Sequence, residues 1–90
     1  MQIIEKIPQE ELLAGLAEEA AELAQAALKL RRVIDGTNPT PKTHEDALDS
    51  LEEEIADVHL YLNYIDYDSR KVTEFYKNKR ERWENRLKAK

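Results

Sequence analysis

Hydrophobic residues recur every three or four positions along most of this chain, which is the period of an α-helix. Three such series are present, over about residues 8–34, 44–66 and 69–88, and a proline- and glycine-containing loop over 35–43 separates the first two. Apolar and polar residues never alternate for more than a few positions, so no strand is expected. The pattern predicts an all-α fold, an antiparallel bundle of about three helices in one domain over residues 1–90.

Local signals mark the ends of these helices. Pro8 suits the first turn of the first helix, and Thr43 followed by Asp46 resembles a capping box at the start of the second. The segment 66–69 offers side-chain caps, which predict a break before the third helix. Charged residues make up 37% of the chain and glycine occurs only twice, which is a composition typical of helices.

Charge is distributed unevenly between the two ends of the chain. Residues 70–90 carry a net charge of +6 and residues 1–69 a net charge of −11, which together give −5. The basic segment could bind a polyanion or pair with the acidic helices, and pairing is the simpler interpretation. A nucleic-acid polymer is not expected as a partner, because most of the surface would repel it.

Composition also predicts the compartment and the assembly. The chain has no cysteine, no signal-like start and no apolar run that would span a bilayer, so we expect a soluble cytoplasmic protein with no membrane partner. Ninety residues bury a limited core, which favours association with further copies of the chain.

Acidic residues form two matching pairs on the first two helices. On a helical wheel with 100° per residue, each pair lies at about −60° and −120° from the apolar stripe, taken from Leu16 in one helix and Leu51 in the other. Both pairs also stand roughly 15–18 Å from the connecting loop at 1.5 Å per residue. The pairs are Glu19 with Glu22 and Glu54 with Asp57.

Antiparallel helices would bring these four carboxylates to one level. Such a group repels itself unless a cation neutralises it, and oxygen ligands without histidine or cysteine favour Mg²⁺, with Mn²⁺ as the alternative. A solvated acidic face is the other interpretation, and it is common in chains this rich in glutamate. The equal azimuth and height of the pairs favour the metal site.

The same residues carry a family resemblance. Glu18-Glu19-Ala20-Ala21-Glu22 followed by Glu53-Glu54-Ile55-Ala56-Asp57 resembles the EExxE and EExxD signature of the MazG-like, all-α nucleoside triphosphate pyrophosphohydrolases, over about residues 9–65. The resemblance implies Mg²⁺-dependent hydrolysis of a nucleoside or deoxynucleoside triphosphate to a monophosphate and pyrophosphate. It implies that Glu19, Glu22, Glu54 and Asp57 are the metal ligands. Glu18 and Glu53 would be the catalytic carboxylates beside them.

The resemblance also suggests how the nucleotide is held. The stretch Lys77-Asn78-Lys79-Arg80 resembles a Lys-Asn segment that reaches the phosphates in these enzymes, so Lys77, Asn78 and Arg80 are candidate substrate-binding residues. Tyr61 could stack on the base or line the pocket, although ordinary helix packing explains it equally well. Ser50 stands where the family often has a lysine. Because family members complete their sites as dimers or tetramers, a homodimer or homotetramer is implied.

Two other classes of protein fit parts of this sequence. A helical interaction module would use the same apolar stripes to assemble, its acids would be merely solvated, and Mg²⁺ would not change its melting temperature. A nucleic-acid-binding protein would use residues 70–90, and its affinity would fall steeply with salt.

Overall fold

Helices account for most of the described chain. The computed structural model describes residues 3–90, with a short 3₁₀-helix over Ile3–Lys6 followed by three α-helices: α1 (Gln9–Asp35), α2 (His44–Leu62) and α3 (Ser69–Lys88). No strand occurs within residues 3–90, so the all-α prediction is confirmed for them; Met1 and Gln2 of the predicted domain lie outside the described residues. Over that same range, no helix has the length and apolar character needed to cross a bilayer.

Helices α1 and α2 pack against each other as an antiparallel hairpin. Gly15 near the start of α1 faces Tyr61 near the end of α2, while the loop over 36–43 joins the opposite ends of the two helices. The most deeply buried side chains are Leu12, with 3% of its surface exposed, and Ala47, with 1%. The core of the single chain is therefore small.

The side of α1 that faces α2 is not the centre of its apolar stripe. The apolar stripe of α1 is made of the apolar residues that recur every three or four positions along it. Of these, Leu16, Leu23 and Leu30 are half-buried, but Ala20, Ala27 and Ile34 are exposed. The covered side is centred on the azimuth of Glu19, about 60° from the stripe. The same offset occurs in α2, where Glu54 is half-buried and Ile55 is exposed. The helix contact thus includes the acidic flanks and leaves part of each apolar stripe uncovered.

The second helix ends four residues before its predicted boundary at 66. The Gln9 side chain holds the segment that follows, since its Nε2 donates to the carbonyl of Tyr64 (3.2 Å) and its Oε1 accepts from the backbone N–H of Asp66 (2.8 Å). These two hydrogen bonds from the start of α1 replace helical pairing at the Tyr64 carbonyl and the Asp66 N–H, whereas the N–H of Ile65 still donates to the Tyr61 carbonyl (3.1 Å). The sequence pattern alone carries no signal for so distant an interaction.

Side chains and one glycine define the other helix ends. The Thr43 hydroxyl accepts from the N–H of Asp46 (3.1 Å) at the start of α2, and Asp68 accepts from the N–H groups of the first turn of α3 at 3.0 and 3.2 Å. Gly36, with φ of 79°, ends α1 in the left-handed conformation and donates its N–H to the carbonyl of Arg32. Each of these contacts satisfies backbone groups that a helix end leaves unpaired.

Helix α3 packs against neither α1 nor α2 within the described residues. Its largest apolar side chains, Phe75, Tyr76, Trp83 and Leu87, are all more than half exposed. The chain has an accessible surface of 7656 Å², whereas a folded monomer of this mass is expected to expose about 5,400 Å². Its radius of gyration, 16.9 Å, compares with about 12 Å for a compact domain of this length. A single copy is therefore an open structure with an uncovered helix.

Candidate metal centre

Three of the predicted metal ligands lie together in the contact between α1 and α2. Glu19 and Glu22 are one turn apart on α1, and Glu54 approaches them from α2. One carboxylate oxygen from each residue lies within 4.8 Å of the corresponding oxygens of the other two. Asp57, one turn beyond Glu54, is close enough for its charge to act on Glu19. The structure thus brings acids from both helices to one level.

Two oxygens of this cluster are shielded from solvent. Oε2 of Glu19 and Oε2 of Glu54 are buried and have no hydrogen-bond partner within residues 3–90. Leaving a buried polar atom unpaired is costly, and more costly if the group is charged. A cation or a proton between the two carboxylates would remove this cost.

The surroundings of Glu19 make its carboxylate hard to ionise. Burial raises the pKa of Glu19 from 4.5 to about 7, and the adjacent Glu54 carboxyl group and the negative charges of Glu22 and Asp57 add to the shift. Without a cation, the cluster therefore retains a proton up to near-neutral pH. The same crowding makes it a site where positive charge is favourable.

A groove with a volume of about 670 Å³ opens beside the acids. Its walls come from the second half of α1, the loop before α2 and the middle of α2. Acidic side chains line one part of the groove, namely Glu22, Glu53 and Glu54. Basic side chains line another part, namely Lys29, Arg32 and Lys42. A ligand in this groove would contact both signs of charge.

The candidate catalytic carboxylates differ in their relation to this groove. Glu53 is exposed and lines it, whereas Glu18 is exposed on α1 and does not line it. Two small residues of α1, Gly15 and Ala26, lie on the same flank as its acids, and their surroundings differ. A Cβ at position 15 would overlap the ring of Tyr61, so the space over Gly15 is filled by that ring, while Ala26 lines the groove. The role of Tyr61 toward a substrate stays a prediction.

The remaining candidate substrate residues lie on α3. Lys77, Asn78 and Arg80 are exposed, and because α3 contacts neither α1 nor α2, one chain does not bring them to the acids. Arg80 forms an ion pair with Glu84 one turn away, with 3.5 Å between Nε and Oε1. A role for these residues at the acidic cluster would require the α3 of another copy.

The sequence pattern did not identify the basic residues of the groove, Lys29, Arg32 and Lys42, as candidate binding residues. Glu22, Ala26 and Lys29 follow steps of four and three residues and so lie on one side of α1, which is a signal that the sequence does contain. Arg32 continues the same side. Lys42 comes from the loop, whose course helical periodicity does not describe.

No protein-family model matches this chain, and no curated protein or solved structure gives a significant match. The resemblance to MazG-like enzymes is thus carried by the two acidic motifs.

Proposed function

We propose that this protein is a Mg²⁺-dependent nucleoside triphosphate pyrophosphohydrolase of the MazG-like kind, with Mn²⁺ as an alternative ion. The observation that supports it most is the pair of buried, unpartnered oxygens on Glu19 and Glu54 beside a groove that also holds cationic side chains. A carboxylate cluster alone would suit many cation sites. A cluster that adjoins a basic surface suits a ligand that is itself anionic, such as a nucleotide triphosphate.

The donor set fits a hard divalent cation. Glu19, Glu22 and Glu54 would hold the ion through carboxylate oxygens, and Asp57 would complete the set from the next turn of α2. Oxygen-only ligands are those that Mg²⁺ and Mn²⁺ prefer. When bound, the ion offsets negative charge on the phosphates and makes a coordinated water more acidic.

The proposed reaction is attack of water on the α-phosphorus. The bond from this phosphorus to its bridging oxygen breaks, pyrophosphate leaves, and the nucleoside monophosphate keeps the oxygen from water. Glu53 is the better placed of the two predicted catalytic carboxylates to accept the proton of that water, because it lines the groove and Glu18 does not.

The active form would be a homo-oligomer, a dimer or tetramer. The exposed aromatic side chains of α3 and the uncovered apolar side chains of the hairpin would bury each other between copies. The basic segment 70–90 and the acidic segment 1–69 are complementary in charge. In this arrangement, Lys77, Asn78 and Arg80 from one copy would approach the nucleotide phosphates at the site of another.

The enzymatic proposal is tested by measuring pyrophosphate release from a panel of NTPs and dNTPs with and without Mg²⁺. We expect metal-dependent turnover, and a loss of at least 100-fold in kcat for Glu22→Gln and for Asp57→Asn, because each removes a charged ligand. Glu52→Gln is the matched control, since Glu52 is an exposed acid of α2 outside the cluster.

Two outcomes would contradict the proposal. Absence of metal-dependent turnover on every nucleotide would favour the interaction module with a solvated acidic face. Full activity in both Glu22→Gln and Asp57→Asn would place the chemistry elsewhere. Differential scanning calorimetry adds a readout independent of turnover, because Mg²⁺ should raise the melting temperature of the wild type but not that of Glu22→Gln.

The assembly is tested separately by sedimentation velocity on wild type and Trp83→Glu. Trp83 is 62% exposed in one chain, so a charge there should leave the hairpin folded but dissociate the oligomer. Glu81→Gln, a substitution on the same helix, should leave the oligomer intact. A wild type that sediments as a monomer at all concentrations would contradict the oligomer.

A further inference from the structure

Lys29, Arg32 and Lys42 have surroundings unusual for lysine and arginine. All three line the groove, and all three are half-buried rather than extended into solvent. Within residues 3–90 the one ion pair is that between Arg80 and Glu84, so none of these cations has a carboxylate in ion-pair contact. Partly buried cations that lack a counter-ion are suited to binding an external anion.

Nearby groups do not neutralise this basic surface. Asp35 follows Arg32 on α1, and its pKa is held below its usual value by hydrogen bonds from Thr37 and, to a smaller extent, by the charges of Arg31 and Arg32. Its carboxylate thus stays ionised, but it is engaged with the loop after α1. Ser50, also on the groove wall, donates its hydroxyl to the Asp46 carbonyl and brings no charge.

The charge of the groove-lining side chains changes from negative to positive along α1 toward the loop. Lys29 and Arg32 lie seven and ten residues after Glu22, which corresponds to about 10 Å and 15 Å along the helix axis. Lys42 approaches from the loop at the same end. The groove is therefore acidic near the metal-binding carboxylates and basic toward the loop, which suits an extended chain of phosphates rather than a single one.

We propose that Lys29, Arg32 and Lys42 form a polyphosphate-binding subsite that holds the two phosphates released as pyrophosphate. This subsite rests on the proposed function and defines the orientation of the bound triphosphate. The α-phosphate lies at the acids, and the β- and γ-phosphates extend toward the loop. Arg32 offers a planar fork for two phosphate oxygens, and the lysines act as point charges. The subsite selects triphosphates over diphosphates, because a diphosphate reaches fewer of the three cations.

Binding of inorganic tripolyphosphate to the 90-residue chain tests this subsite. Calorimetric titrations would be run in Mg²⁺ and in EDTA on wild type, Lys29→Gln, Arg32→Gln and Lys42→Gln. We expect roughly tenfold weaker binding for Arg32→Gln, where a charge-assisted fork is lost, and a smaller loss for each lysine. Arg31→Gln is the matched control, because Arg31 is the neighbouring residue on the same helix, is exposed and does not line the groove.

A second readout is the ratio of kcat/KM for a nucleoside triphosphate to that for the corresponding diphosphate. The ratio should fall several-fold in Arg32→Gln and stay at the wild-type value in Arg31→Gln. Equal losses in these two variants would overturn the subsite, because only overall charge would then matter. Unchanged tripolyphosphate binding in all three groove variants would overturn it as well.

Failure of the subsite and failure of the enzymatic proposal give different results. Turnover that depends on Glu22 but not on Lys29, Arg32 or Lys42 would retain the pyrophosphohydrolase and reject the subsite. Tripolyphosphate binding that depends on Arg32, without turnover of any nucleotide, would retain the polyphosphate site and reject the hydrolase. Circular dichroism of each variant would verify that the helices are intact.

Discussion

The α1–α2 hairpin and helix α3 are held in place by different means. Helices α2 and α3 have almost the same length, 19 and 20 residues, and both begin at a side-chain cap. Yet α2 packs along α1, whereas α3 contacts neither helix and all of its residues are exposed. In proteins, most of the stability of a helix comes from tertiary packing of its apolar face rather than from helical propensity. Within the described residues, helical propensity and capping therefore stabilise α3 without help from α1 or α2, whereas packing also stabilises α2.

Removing a buried side chain should show this difference most strongly. Leu12→Ala should lower the free energy of unfolding by about 2–5 kcal/mol, because it leaves a cavity in the small core of the hairpin. Leu87→Ala on α3, where the side chain is 53% exposed, should change it by no more than about 0.5 kcal/mol at protein concentrations that keep the chain monomeric. Urea denaturation measures both, and equal costs would show that α3 packs within its own chain.

The acidity of the hairpin interface gives the next prediction. Because the pKa of Glu19 is about 7 in the fold and 4.5 as a free side chain, the folded state binds a proton more tightly than the unfolded chain. Stability from this group is complete below pH 4.5 and is lost as the pH rises through 7. Urea denaturation in EDTA across this range should show that decline. Glu19→Gln should flatten it, and an unchanged slope in that variant would assign the effect to other groups.

Loss of a helix cap should have different consequences in the two regions. Thr43→Ala should destabilise the hairpin by about 1 kcal/mol in global unfolding, because α2 folds together with α1. Asp68→Ala removes the corresponding contact of α3 and should increase amide exchange in its first turns without moving the hairpin transition. Hydrogen exchange by NMR separates the two cases. Protection lost throughout the chain in Asp68→Ala would show that all three helices unfold as one unit.

The smallest effect is expected at the surface of α3. The Arg80–Glu84 pair is exposed and spaced one helical turn apart, so Glu84→Gln should cost at most about 0.5 kcal/mol of helix stability. The loss should disappear at high salt because such pairs are screened. Circular dichroism at low and high ionic strength tests this, and a cost that persists at high salt would indicate an additional contact of Glu84.

The sequence predicted the helices well and their packing less well. Periodicity found all three helices, and Thr43 and Asp68 lie at helix starts where the polar residues of the sequence suggested caps. The end of α2 was misplaced because the Gln9 contact joins residues 57 positions apart. The contact between α1 and α2 is centred about 60° from the apolar stripe of each helix, so part of each stripe remains uncovered in one chain.

The candidate site was predictable where helical geometry governs it. Spacing alone placed two acidic pairs, Glu19 with Glu22 and Glu54 with Asp57, on facing flanks of the helices. Oxygens of the first three residues lie within 4.8 Å of one another, and Asp57 is outside that group. The groove was harder to foresee, since it depends on a loop lysine and on how closely two helices approach. The absence of a side chain at Gly15 leaves space on this flank of α1, and the ring of Tyr61 fills that space.

The two hydrogen bonds of Gln9 make the contact between α1 and the segment before α3 dependent on one side-chain amide, which deamidation would change. The Gln9 carboxamide donates to the Tyr64 carbonyl through its NH2 group and accepts from the Asp66 N–H through its oxygen. Deamidation to glutamate would remove the donor and add a negative charge near the Tyr64 carbonyl oxygen. The segment leading into α3 would then keep the hydrogen bond from the Asp66 N–H but lose the one at the Tyr64 carbonyl. The amide group of the ninth residue thus helps to set the direction in which the last helix leaves the hairpin.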